Sequence, residues 1–163
     1  MDISERLRTA IETSVLCWLA TVDADGQPNV SPKEIFCMGA GPNEVLVAEI
    51  ASPVSKRNVS KNPKVCISAV DIFAQKGIKA YGTAALVTPA EPDFAAIVQP
   101  LARMAGPEFN IRAVIRVAVS RVAPILAPSY IIFPERTAEE QRQRAFKTYG
   151  VQECQVKSSE IMK

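Results

Sequence analysis

Residues 15–22, VLCWLATV, form an unbroken apolar, β-rich run followed at once by the turn sequence Asp23-Ala24-Asp25-Gly26-Gln27-Pro28. That juxtaposition constrains the fold most. A buried strand closed by Asp-Gly turn chemistry must be met by a strand running back beside it. The same grammar recurs down the chain. Residues 29–38 read as a second strand, with Gly39-Ala40-Gly41-Pro42-Asn43 as its turn and 44–49 as a third. Residues 64–71 and 78–87 flank Gln75-Lys76-Gly77, and 111–122 and 125–133 complete the set. Helical periodicity enters only between these runs: Ile3, Leu7 and Ile11, then 52–62, 89–104 and 137–149. No strand–helix–strand repeat is sustained, which argues against a doubly wound parallel sheet. The expected fold is mainly β, an antiparallel barrel with peripheral helices. One domain is expected over residues 1–150, with 151–163 as a C-terminal tail.

Single residues sharpen this outline. Pro32 removes a ladder donor, so its strand is an edge, a bulge or a bend. Gly82 predicts a bulge or a close approach of another backbone. Asp2 with Glu5, and Thr137 with Glu140, have capping-box spacing. Pro100 is expected to kink or split its helix.

Composition excludes several functions. The formal net charge of +2 gives no reason to expect nucleic acid. The apolar runs are too short to span a membrane. The first residues lack the charged and apolar regions of a signal peptide, so a cytoplasmic setting is the default. The four cysteines, Cys17, Cys37, Cys66 and Cys154, show no Cys-x-x-Cys spacing and read as buried thiols. There is no histidine at all. That removes Ser-His and Cys-His nucleophile systems, imidazole bases and His-ligated haem. No metal site is expected, and any chemistry falls to an organic cofactor.

The stretch 49–63, EIASPVSKRNVSKNP, leaves a strand, passes Ser52-Pro53 and sets Ser55, Lys56, Arg57 and Asn58 at a helix start. Two readings stand for it. Hydroxyls and cations at a helix N-terminus hold a phosphate, or a serine caps a solvated helix. Ser31-Pro32-Lys33-Glu34 has the same duality: a cation beside the edge of a bound ring, or a residue facing outward on a half-exposed strand. Trp18, Phe36, Tyr81 and Tyr130 are stacking candidates or core, and Arg112, Arg116 and Arg121 are a basic stripe or paired surface residues.

Taken in order, TVDADGQPNVSPKEIF (21–36), VLVAEIASPVSKRNVSKNPKVCISAVD (45–71) and GIKAYGTAALV (77–87) resemble the pyridoxamine 5′-phosphate oxidase-like, FMN-binding split-barrel family. The resemblance implies a split β-barrel working as a homodimer, with FMN at the subunit interface. It places Ser31, Pro32 and Lys33 near the flavin ring. Glu49, Ile50 and Ser52 then lie along the chain, and Ser55 and Lys56 on the phosphate. Trp18 or Tyr81 would come from the partner. The oxidases carry an Arg/His motif near the C-terminus, and this chain has no His, so pyridoxamine phosphate oxidation itself is not expected. What is implied is an FMN-dependent oxidoreductase of unknown substrate. The alternative is a non-catalytic flavin-binding carrier, sensor or electron-transfer module, with a deazaflavin as the competing ligand.

Overall fold

The computed structural model describes residues 2–152. Its elements are α1 (Ile3–Thr13), β1 (Cys17–Val22), β2 (Pro28–Lys33), β3 (Phe36–Met38), β4 (Glu44–Glu49) and α2 (Pro53–Lys61). They continue with β5 (Lys64–Asp71), β6 (Lys76–Val87), α3 (Phe94–Ala105), β7 (Ala113–Leu126), α4 (Ser129–Ile132) and α5 (Ala138–Tyr149). Two compact units result, one of residues up to 70 with 77–125, the other of 71–76 with the chain from 126 onward. Cys154 and most of the expected tail lie outside the described residues.

The strands form one seven-stranded antiparallel sheet, ordered β2-β1-β5-β6-β7-β4-β3. Its first and last members are consecutive in sequence, joined only by Glu34 and Ile35. Laid flat, seven strands separate their edges by roughly 29 Å, at about 4.8 Å per spacing. The link from Lys33 to Phe36 reaches at most about 11 Å. The sheet therefore curls until its edges meet, which makes a split barrel. This also corrects the single strand expected over 29–38. The chain leaves one edge after Lys33 and joins the other at Phe36, where Phe36 registers with Val47.

Alternation fills the barrel. Cys17, Leu19, Val45, Val47, Ile67, Ala80, Ile115 and Val117 are wholly buried in one cluster, together with Leu7 of α1. Leu7 and Ile11 are the buried face of α1, as their spacing predicted. The cap of α1 rests on Asp2, which accepts from Ile3 N at 2.6 Å and Ser4 Oγ at 2.8 Å, rather than on the Asp2–Glu5 box. A second cluster gathers Leu46, Ala48, Val87, Val114 and Leu101, the last from α3. Pro100 lies inside α3, which runs unsplit from Phe94 to Ala105. Gly82 marks the predicted close approach: a Cβ there would stand 2.3 Å from the Ala118 carbonyl oxygen of β7.

The second unit is built on the β5–β6 turn. Tyr130 Oη donates to Ala74 O at 2.6 Å, Gln141 Nε2 to Gln75 Oε1 at 2.8 Å, and Arg142 Nη2 to Asp71 at 2.5 Å. Phe73 meets Phe146 edge-on at 4.8 Å. The strand expected over 125–133 is corrected here. β7 ends at Leu126, and Pro128, in helical conformation with φ −52°, starts α4. Proline has no N–H to lose in a first turn and its φ is already helical. The Thr137–Glu140 box opens α5 as read from the sequence.

Gly82→Ala should cost about 1–3 kcal/mol, because the obstacle is backbone and cannot swing away. Gly41→Ala, whose new Cβ meets only Glu44 Cβ at 3.5 Å, should stay within about 0.5 kcal/mol. Urea denaturation of the two variants measures the contrast, and equal losses would refute it.

Candidate functional site

The seam where the two sheet edges meet carries the polar residues. β2 alternates, with Pro28, Val30 and Pro32 outward and Asn29, Ser31 and Lys33 inward. Helix α2 lies against that inward row and presents Ser52, Ser55 and Asn58, three residues apart. Three polar rungs join them. Asn29 and Asn58 each donate to Thr21 Oγ1 of β1, at 3.3 and 3.1 Å. Ser31 Oγ and Ser55 Oγ share a hydrogen bond of 2.9 Å. Lys33 Nζ donates to Ser52 Oγ.

The last rung is continued by Glu49, the final residue of β4, whose Oε1 accepts the Ser52 N–H at 2.9 Å. Lys33 is 5% exposed and Glu49 3%, so a cation and an anion are both held out of water here. Such burial persists only with partners. Burial pushes the Lys33 ammonium below the usual lysine range, and the nearby Glu49 charge opposes that fall. Ser52 is the N-cap residue of α2, yet among the described residues no side chain caps the start of this helix, and Pro53 follows at its first position. The first-turn amides of Val54 and Ser55 thus keep the unsatisfied, electropositive character of a helix start.

In front of these groups lies a cleft of about 280 Å³, lined by Pro32, Lys33, Glu34, Ile35, Ala48, Ile50, Ala51, Ser52 and Phe109. It brings together Pro32, Lys33, Ile50 and Ser52 of the sequence-derived set. Ser31 and Ser55 stand behind it, bonded to each other, and Glu49 stands behind it, accepting from the Ser52 N–H. Ser55 is 1% exposed, its hydroxyl turned to Ser31. Lys56 is half-buried one turn into α2, outside the cleft lining. Sequence reasoning missed Phe109, an exposed aromatic just after the Gly106-Pro107 helix stop, and the Thr21–Asn29–Asn58 rung. Its signal was the match of a two-residue period on β2 with a three-residue period on α2.

The other candidates fall elsewhere. Phe36 is core, Arg121 stacks on Tyr81 at 3.8 Å, Lys76 covers the Tyr130 ring at 4.0 Å, and Arg116 pairs with Asp93 at 3.2 Å. Trp18 is 44% exposed. Opposite the core it sits between Pro32 of β2 and Ser68 of β5, with Val30, Ala20 and Cys66 in the next row. Among the described residues no group of three His, Cys, Asp or Glu is placed to hold a metal ion. Nor is any helix long and apolar enough to cross a membrane.

Cys17 registers with Lys33 across β1 and β2, and burial pushes its thiol up to about 12. A native thiol that keeps its proton while the unfolded one loses it, from about pH 8.5 upward, makes stability fall as pH rises. In Cys17→Ala the alkaline decline between about pH 9 and 11 should be shallower, by up to about 1.4 kcal/mol per pH unit. Urea titrations across that range decide it, and an unchanged slope would mean that the thiol titrates as if exposed.

The pyridoxamine 5′-phosphate oxidase family model matches residues 3–126. No curated protein matches the chain. Among solved structures, HupZ of Group A Streptococcus is 26% identical, with a TM-score of 0.61 over 75% of this chain and 92% of that one. An FMN-binding protein from Syntrophomonas wolfei reaches a TM-score of 0.65 at 16% identity, over 76% and 86% of the two chains. HutZ, the heme storage protein from Vibrio cholerae, gives 0.60 at 19%, over 77% and 95%. With the family match covering the whole seven-stranded sheet and the seam within it, the chain belongs to the pyridoxamine 5′-phosphate oxidase-like split-barrel family.

Proposed function

We propose that this protein binds FMN at the seam and acts as a homodimeric FMN-dependent oxidoreductase of a small-molecule substrate. The observation that carries the reading is the uncapped N-terminus of α2, standing beside a cleft whose floor holds a buried Lys33. A helix start with free amides suits a phosphate. A buried cation suits the electron-rich edge of an isoalloxazine, where bound FMN would supply the electron-transfer chemistry. Lys33 then faces the ring, Ile50 and Pro32 flank it, Ser52 lies along the chain, and the Val54 and Ser55 amides and Lys56 serve the phosphate end. The buried hydroxyls of Ser31 and Ser55 hold α2 in place. Haem is the weaker reading, because a chain without histidine cannot supply an imidazole ligand.

The second copy is proposed for the outer face of β2, β1 and β5. Val30 is 58% exposed and Trp18 44%, and Pro32 belongs both to this face and to the cleft. A partner seated there closes the cleft and buries an apolar patch that a monomer rarely leaves open. Free thiols at Cys17, Cys37 and Cys66 suit a cytoplasmic setting.

Titration of the purified protein with FMN, followed by flavin fluorescence, tests the reading. Lys56→Ala should weaken binding by about 1.5–3 kcal/mol, tenfold or more, and unchanged affinity would place the phosphate elsewhere. FMN binding with NADH or NADPH turnover supports the oxidoreductase. Binding without turnover assigns a flavin carrier, sensor or electron-transfer module, and preference for a deazaflavin overturns the choice of FMN. On the outer face, Trp18→Glu should convert dimer to monomer in sedimentation velocity, and a wild-type monomer would remove the homodimer.

A further inference from the structure

We infer that Lys33 and Glu49 together hold the Ser52 hydroxyl away from the N-terminus of α2, and so keep the first-turn amides of that helix open to an anionic ligand. For the identity of the ligand this rests on the flavin reading above; the clamp itself does not.

A serine at an N-cap ordinarily accepts from the second or third helical N–H. In α2 those are Val54 and Ser55, since Pro53 at the first position has none. Ser52 makes no such bond. Its oxygen accepts from Lys33 Nζ and its own N–H donates to Glu49 Oε1 at 2.9 Å. One residue is thus clamped at both ends by two buried, oppositely charged side chains from two different strands, β2 and β4. A hydroxyl oxygen has two acceptor sites, and the stronger, charge-assisted bond from the ammonium sets the direction of the side chain, away from the Val54 and Ser55 N–H groups. Glu49 favours the charged state of Lys33 against its burial, and it fixes the Ser52 backbone so that the hydroxyl stays within reach.

Without Lys33 the hydroxyl is released to fall back onto Val54 or Ser55, and the helix satisfies itself where the ligand is meant to bind. Lys33 therefore acts on the anion end of the site through Ser52, in addition to facing the ligand directly. Glu49, 3% exposed, is a positioning residue. A Ser52 that simply contacted the ligand would give the opposite sign in a double variant.

The experiment compares wild type, Ser52→Ala, Lys33→Met and the double variant by backbone amide exchange in ligand-free protein and by FMN titration. Ser52→Ala is expected to leave exchange at Val54 and Ser55 unchanged, because no cap is lost. Lys33→Met should slow it about fivefold, the worth of a new cap, and the double variant should return to the wild-type rate. In FMN binding, Lys33→Met weakens affinity and adding Ser52→Ala restores part of it. Faster exchange in Ser52→Ala, unaltered exchange in Lys33→Met, or FMN losses that simply add would each overturn the clamp. Should Lys33→Met fail to fold, Ser52→Ala alone decides. The expected exchange pattern in a protein that binds no FMN supports the clamp and overturns the flavin reading.

Discussion

A two-residue link governs this structure. Glu34 and Ile35 tie the first strand of a seven-stranded sheet to the last, and their short reach forces the sheet to close on itself. Closure brings the ends of β2 and β4 to one place. Helix α2 leaves β4 after three residues and must start there too. A buried lysine, a buried glutamate and a helix N-terminus converge because the chain is too short at that point to go anywhere else. Elsewhere β4 is anchored in ordinary ways: Glu49 registers with Ala113 of β7, and its carbonyl accepts from Arg112 N at 3.0 Å.

The barrel and its seam are held by different forces. Inside, aliphatic side chains alternate inward from every strand and exclude water, a contribution of about 1.5–3 kcal/mol for each large residue buried. Along the seam, α2 meets β2 through hydroxyls, amides and one ammonium, each hydrogen bond worth only about 0.5–1.5 kcal/mol net. Asn58 Oδ1 is buried there with no hydrogen-bond partner among the described residues. Val59 alone carries α2 into the apolar cluster. Direction matters more than strength here: apolar contacts let a helix slide, whereas rungs at matched two- and three-residue periods fix its register on the strand.

Most of the barrel was legible in the sequence because its periods are short and its turns explicit. The apolar run of β1, the Asp-Gly turn and the Pro32 edge all stand where local chemistry put them. What misled was a change of partner rather than of conformation. Residues 29–38 are extended throughout most of their length, and nothing local says that Lys33 and Phe36 belong to opposite edges. Residues 125–133 fail for a complementary reason: β-branched Ile131 and Ile132 suggest a strand, but Pro128 sets a helical first turn that outweighs them. In the site, Lys33, Ile50 and Ser52 were legible as a set only through the resemblance. That Ser52 would turn from its helix to a lysine 19 residues upstream depends on closure of the sheet, which a window of sequence does not contain.

Prolines at 28 and 32 have a consequence for how the protein behaves at high concentration. On an antiparallel strand every second N–H points the same way, so Pro28, Val30 and Pro32 share one side of β2. Pro28 and Pro32 keep their places in register with β1, and a proline sits in an edge ladder with its nitrogen on the free side. Two of the three N–H donors that would recruit an alien strand are gone. The edge offers little template for edge-to-edge aggregation.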